Sequence, residues 1–302
     1  MRGVPENQQR DPQTQWDIVS GVGITALAVA GGRAVESRRE DRLVHDPYAE
    51  ALVQAAGPQT SLPLPGVDEQ ASAAVPFWDE MTSYLGVRSR YFDEFFARAT
   101  ENGVRQVVIL ASGLDTRPQR LDWAEGTAVY EIDQPLVLQY KQRVLAEQGA
   151  TSSAEHHALQ VDLRDDWPSA LLEAGFDRTK PTAWLAEGLL PYLPADAEAQ
   201  LLRTIHEFSA PGSRVAVESV SGSRDSLVRP EMQQLSEDFG IDLASLFSTE
   251  ERPDPASTLA ESGWDVQRLP VLQTASEYGR EFGELPQMLS HDQYFLFGSR
   301  PR

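Results

Sequence analysis

Hydrophobic positions along the chain fall into two textures that meet near Gly103. Before that glycine the spacing is helical. Trp16 to about Arg42 reads as a helix with a Gly-rich middle. From Val75 to Thr100, residues Phe77, Met81, Tyr84, Leu85, Tyr91, Phe92, Phe95 and Phe96 recur at intervals near three and four, as one or two amphipathic helices require. Between these segments a Pro/Gly-punctuated stretch runs from Gly57 to Gly66, and its Leu62-Pro-Leu-Pro-Gly66 cannot continue a regular helix. Residues 1–15, polar with two prolines, are expected to form a flexible arm.

After Gly103, short apolar runs rich in β-branched residues alternate with helical patterns. Strands are predicted over 104–110, 128–132, 158–161, 182–186 and 214–218, with helices near 134–149, 168–175 and 195–210. Such alternation implies βαβ units and a mainly parallel sheet with right-handed crossovers. Two further strands, 264–269 and 293–297, suggest an antiparallel edge pair. The expected organisation is an arm (1–15), an N-terminal helical cap (16–102) and an α/β domain (103–302) carrying a lid near 221–255, where polar and turn residues concentrate.

Charge narrows the function classes. With 46 acidic and 26 basic residues the formal charge is -20, so the average potential repels phosphate backbones and anionic lipid headgroups. Neither nucleic acid nor a membrane is an expected partner, although Arg88 and Arg90 could form a local basic site. No cysteine is present, which excludes disulfides, thiolate zinc sites and a cysteine nucleophile. The apolar run Gly21–Ala30 ends in Ala-x-Ala, yet the preceding Arg2 and Arg10 are offset by Glu6, Asp11 and Asp17. It reads as a helix and not as an export signal, and a cytoplasmic location is expected.

In a doubly wound sheet, ligands bind beyond the carboxyl ends of the strands, and four strand ends carry matching chemistry. The first is Ala111-Ser-Gly-Leu-Asp-Thr-Arg117, whose single Gly113 permits close backbone approach but lacks the three glycines that cradle a pyrophosphate. The second ends in Asp133, 20 residues beyond Gly113, where a carboxylate meets ribose hydroxyls in nucleoside-binding units. At the third, Asp162 can accept from an adenine amine while Leu163 packs on the ring. The fourth, Ala186-Glu-Gly-Leu-Leu-Pro-Tyr192, brings Glu187 and Tyr192 to the same crevice. Singly, each is more often a turn, a helix cap or a core residue. Together they supply what a nucleoside without phosphates needs.

These residues carry a family resemblance. Over residues from about 16 to 300 the chain resembles the actinobacterial class I S-adenosylmethionine-dependent methyltransferases related to leucine carboxyl methyltransferase. The motifs are Asp46-Pro-Tyr-Ala49, Arg90-Tyr-Phe-Asp-Glu-Phe-Phe96, the segment Gln106–Arg117, Tyr130-Glu-Ile-Asp-Gln-Pro135, Val161-Asp-Leu-Arg-Asp-Asp-Trp167 and Trp184–Leu193. The resemblance implies a doubly wound, mainly parallel seven-stranded α/β sheet of Rossmann-like type with a helical cap. It assigns Asp133 to the ribose, Asp162 and Leu163 to the adenine, Gly113 to the methionine moiety and Glu187 to the methionine amino group. Arg88 or Arg90 would meet the methionine carboxylate, and Ala111 and Gln134 complete the cofactor-binding set. Arg38 or Arg39 stands where the family has a lysine ahead of the Asp-Pro motif.

The implied reaction is in-line O-methylation of a carboxylate or hydroxyl on a small metabolite, an intermediate of secondary metabolism being one class. A carboxylate acceptor is already ionised at neutral pH, whereas a hydroxyl needs a general base. His206 and His291 are the base candidates, and Tyr192 could orient an acceptor oxygen. The adjacent His156 and His157 point to opposite faces of a strand, so no metal site is expected. Two other readings stand beside this one. A nicotinamide-dependent oxidoreductase is disfavoured by the missing glycines and by the lack of a Tyr-x-x-x-Lys pair. A non-catalytic adenosyl-ligand-binding homologue is distinguished only by assay. Sequence leaves the oligomeric state open.

Overall fold

The computed structural model describes residues 22–57, 75–220, 243–248, 250–282 and 293–302. Three helices come first, α1 (Val22–Arg38), α2 (Ala49–Gln54) and α3 (Val75–Glu101). The α/β part follows as β1 (Gln106–Leu110), α4 (Arg117–Arg120), β2 (Ala128–Asp133), α5 (Pro135–Glu147), β3 (Glu155–Gln160), α6 (Trp167–Glu173), β4 (Thr182–Ala186), α7 (Ala195–Glu207) and β5 (Arg214–Val220). The last two strands are β6 (Asp265–Pro270) and β7 (Gln293–Ser299).

Strand sequences explain strand positions. All five residues of β1 and of β4 are buried, so these apolar runs lie at the centre with both faces covered. The polar strands β3 and β6 take the two edges, where exposed charges discourage further pairing. The order is β3-β2-β1-β4-β5-β7-β6, and β7 runs antiparallel to both β5 and β6. The expected edge pair therefore exists, with its later strand inserted next to β5. Strand β3 starts three residues before the predicted 158–161 because its first half, Glu155-His-His, carries no hydrophobic pattern and is held by backbone pairing to β2.

One face of the sheet packs Trp167, Leu171, Leu201, Leu202 and Ile205 against Val108, Tyr130 and Trp184. On the other, Val87, Tyr91, Phe92, Phe95, Phe96 and Ala99 of α3 cover Val107, Ile109, Leu185 and Ala216. The stretch Val75–Glu101 is thus one continuous helix whose C-terminal half packs on the sheet. Helix α1 crosses α3 at glycines. A Cβ on Gly32 would stand 2.2 Å from Leu85 Cδ1, and one on Gly86 would stand 2.7 Å from Glu36 Cδ. Among the described residues no helix is long and apolar enough to cross a membrane. Most of the expected lid, 221–242, lies outside the described residues, as does His291.

Candidate active site

The connections from β1 and β4 leave toward opposite sides of the sheet, so a crevice opens beyond their carboxyl ends. A cavity of about 470 Å³ fills it, lined by residues from the ends of β1 to β4, by Arg88 and Ser89 of α3, and by Gly23, Thr25, Ala26, Val29 and Arg33 of α1.

The turn after β1 is bent by two residues with positive φ, Ala111 at 47° and Gly113 at 49°. Ala111 bears a side chain in this left-handed region, which costs about 1–2 kcal/mol and persists only where the surroundings enforce it. The enforcement is visible. Asp133 Oδ2 accepts from the Gly113 amide at 2.6 Å, and its Oδ1 accepts from the Gln134 amide at 2.6 Å. Burial raises the Asp133 carboxyl above its ordinary value, against the opposing pull of these two amides. Ser112 N donates to Ile132 O and Asp115 N to Ser112 O. The amides of residues 112, 113 and 115 are therefore spent within the protein.

At the end of β3, Asp162 accepts from Arg164, with Nη2–Oδ2 at 2.6 Å and Nε–Oδ1 at 2.9 Å. Leu163 is half-buried against the core beside it. At the end of β4, Glu187 lies between two arginines, Arg88 Nε at 2.7 Å and Arg117 Nη1 at 2.6 Å. Arg88 also reaches both oxygens of Glu218 at 3.1 Å, and Glu218 accepts from the Tyr84 hydroxyl and from Gly188 N. Burial opposes the charge on Arg88, but Glu218 and Glu187 hold its pKa well above the ordinary arginine value. Arg117 in turn pairs with Asp93 and Asp115, both at 2.7 Å. The methionine end expected here is thus a buried lattice of alternating charge.

The structure gathers Arg88, Ala111, Gly113, Asp133, Gln134, Asp162, Leu163, Glu187 and Tyr192 around one cavity. Two expected residues lie elsewhere. Arg90 sits two positions beyond Arg88, on the outer side of α3, where it is exposed and pairs with Glu94 at 2.7 Å. Of the two arginines, Arg88 is the one that lines the cavity. His206 is on α7 with its Nδ1 accepting from Trp264 Nε1 at 3.2 Å, away from the cavity lining, and burial lowers its pKa. His156 contacts Glu131 while His157 stacks on Tyr130, and neither lines the cavity. The sequence reading passed over Arg117, whose signal lay in the Asp-Thr-Arg end of the first motif, and Arg33, which carries a donor to Leu114 O at 2.6 Å. It also passed over Lys141.

The residues present suit an adenosyl ligand bearing an amino acid. Asp133 keeps lone pairs for hydroxyl donors, Asp162 can accept from an exocyclic amine, and the Arg88–Glu187 pair offers one group of each sign for an amino acid's two charges. Among the described residues, no group of three or more His, Cys, Asp or Glu side chains could hold a metal.

Comparison with known proteins agrees. A family model described as leucine carboxyl methyltransferase matches residues 26–206. A Saccharopolyspora erythraea protein, provisionally named an S-adenosyl-L-methionine-dependent methyltransferase, is 57% identical over 275 residues, covering 91% of this chain and 94% of its own. A Mycobacteroides abscessus protein of the same provisional name is 49% identical over 283 residues, covering 92% of this chain and 91% of its own. The crystal structure of a provisionally named methyltransferase from Thermobifida fusca shares the fold, with a TM-score of 0.53 at 16% identity over 91% of this chain and 94% of that one. The chain, by the extent of these matches and the motifs they span, belongs to the leucine carboxyl methyltransferase family and is a methyltransferase.

Proposed function

We propose that this methyltransferase takes its methyl group from S-adenosylmethionine and places it on an oxygen of a small metabolite. When bound, that cofactor supplies a sulfonium methyl carbon open to in-line displacement. The chain's contribution is to hold and shield. Asp133 and Asp162 fix the nucleoside through its hydroxyls and amine, Arg88 and Glu187 take the amino acid charges, and the α1 wall of Thr25, Ala26 and Val29 limits water.

The observation that carries the oxygen assignment is Tyr192, with its hydroxyl 3.5 Å from Thr25 Oγ1 in the wall that also holds Glu187. The phenol, protonated at neutral pH and pushed further that way by burial, donates to Thr25 Oγ1 and turns this donor to an acceptor oxygen when one is bound. A donor suits an acceptor that arrives ionised, which favours a carboxylate over a hydroxyl. Around it Leu189, Leu193 and Pro194 make an apolar wall, the setting of a small organic molecule. The strong negative charge, unsuited to nucleic acid or anionic lipid, supports an enzyme of small molecules.

Transfer of label from S-adenosylmethionine carrying a radioactive methyl group, assayed against panels of carboxylic acids, phenols, alcohols, amines and thiols, tests this. The expected product is a methyl ester, which releases volatile labelled methanol in alkali. Alkali-stable label on a phenol or alcohol would move the acceptor to a hydroxyl. Label found only on nitrogen or sulfur would refute the oxygen assignment.

A further inference from the structure

Beneath the β1 turn lies a group of buried ionisable side chains that do not line the cavity. Lys141 of α5 and Glu131 of β2 are both fully buried, with Nζ–Oε1 at 2.5 Å. The second oxygen of Glu131 meets His156 Nε2 at 2.6 Å, and His156 Nδ1 lies 3.4 Å from Gln119 Nε2. Lys141 does more than neutralise Glu131. Its ammonium also donates to Ser112 Oγ at 3.2 Å and to the Asp115 carbonyl at 3.1 Å.

A buried ion pair is a poor source of stability, since desolvating both charges offsets their attraction and an apolar pair of similar volume often does as well. What an apolar pair cannot do is aim three donors. Ser112 and Asp115 bracket Gly113 and Leu114, so one ammonium grips both ends of the turn whose middle amide, Gly113 N, is held by Asp133. Ala111, at the entrance of the same turn, has the positive φ that needs external restraint.

We infer that Lys141, charge-balanced by Glu131, is a positioning residue for cofactor binding: it clamps Ser112 and Asp115 so that Gly113 and Asp133 are presented in their binding geometry. Lys141 does not line the cavity and touches no ligand itself. The inference rests on the adenosyl-cofactor reading, and titration of the wild-type protein with S-adenosylhomocysteine comes first, because a failure there would refute that reading and not the clamp.

The test pairs Lys141→Met with Glu131→Gln, which removes both charges of the pair together while the introduced glutamine keeps an oxygen and an amide to meet His156. Expected are a thermal midpoint close to wild type, faster backbone hydrogen exchange across 111–116 in the ligand-free protein, and an S-adenosylhomocysteine affinity weakened by about ten-fold. A purely structural role would lower the midpoint and leave affinity and local exchange in the folded protein unchanged, and that result would overturn the inference. Should the double variant fail to fold, Ser112→Ala removes one leg of the clamp and keeps the ion pair. Faster exchange in the ligand-free turn then supports the clamp, since no lost ligand contact can contribute. Wild-type exchange overturns it.

Discussion

On the proposed reading Asp133 serves two partners at once, the protein's own turn and the cofactor's hydroxyls, and its ionisation couples them. Burial places its folded pKa above the unfolded value, so the charged form costs stability at neutral pH. Hydroxyl donors favour the charged form and draw that pKa back down, which means that binding expels a proton wherever Asp133 is partly protonated. Affinity for S-adenosylhomocysteine should therefore fall as pH is lowered toward the raised pKa, beginning above the ordinary aspartate value of about 3.9. Asp133→Asn should bind about ten-fold more weakly at neutral pH, through loss of charge-assisted hydrogen bonds, and should flatten the pH dependence. Calorimetric titrations of both proteins between about pH 5 and pH 8 make the comparison. An unaltered slope in the variant would place the titrating group elsewhere.

Helix α1 roofs the cavity only because it can approach α3 closely, and the approach is made through glycine. At Gly32 a Cβ would stand 2.2 Å from Leu85 Cδ1, and Leu85 is itself buried, so the collision cannot be relieved outward. Gly32→Ala should lower stability by about 1–3 kcal/mol in urea unfolding, as overpacking does. Combined with Leu85→Ala the loss should be less than the sum of the single losses, because the second change opens the space that the first needs. Additive effects would mean that the two residues do not meet. The same elements show what a sequence reveals. Strand β4 was predicted at its observed bounds, because five buried apolar residues leave a continuous signal, and the site's carboxylates were legible because they directly follow such strands. The choice between Arg88 and Arg90 was not, since it depends on how a 27-residue helix is rotated against the sheet, which only tertiary packing sets. Lys141 was legible and missed: it falls in the apolar stripe Val137, Leu138, Val144, Leu145 of α5, the place where a charge has to have a buried partner.

At the scale of the molecule, the N-terminal helices and the sheet share the floor and roof of one cavity, and they are expected to unfold as one body. Asp46, buried in the turn before α2, accepts from Arg33 Nε of α1 at 2.9 Å and from Thr116 Oγ1 of the β1 loop at 2.8 Å, as well as from the amides of Tyr48 and Ala49. Arg33 in turn donates to Leu114 O, so α1 is latched to the turn that carries Gly113. Burial would raise the Asp46 pKa, but Arg33 and Arg120 with the Arg33 and Thr116 hydrogen bonds hold it below the ordinary value. Asp115, similarly buried, is held at about 2 by Arg117, Arg120 and Arg33. Depressed folded values mean that both carboxylates contribute stability above the unfolded value of about 3.9, and that it is lost as pH falls below that toward about 2. Removing the Asp46 charge at neutral pH should mimic the acid state at this latch. Asp46→Asn leaves Arg33 buried without its counter-ion, for which about 3–5 kcal/mol of destabilisation is expected in urea unfolding, together with weaker S-adenosylhomocysteine binding because α1 and the turn loosen together. The transition should remain single, with tryptophan fluorescence and circular dichroism coincident. If an early transition instead removed the N-terminal helices and left the remaining protein with wild-type stability, the helices would be an appended cap, and the cavity roof would be free to open without disturbing the sheet.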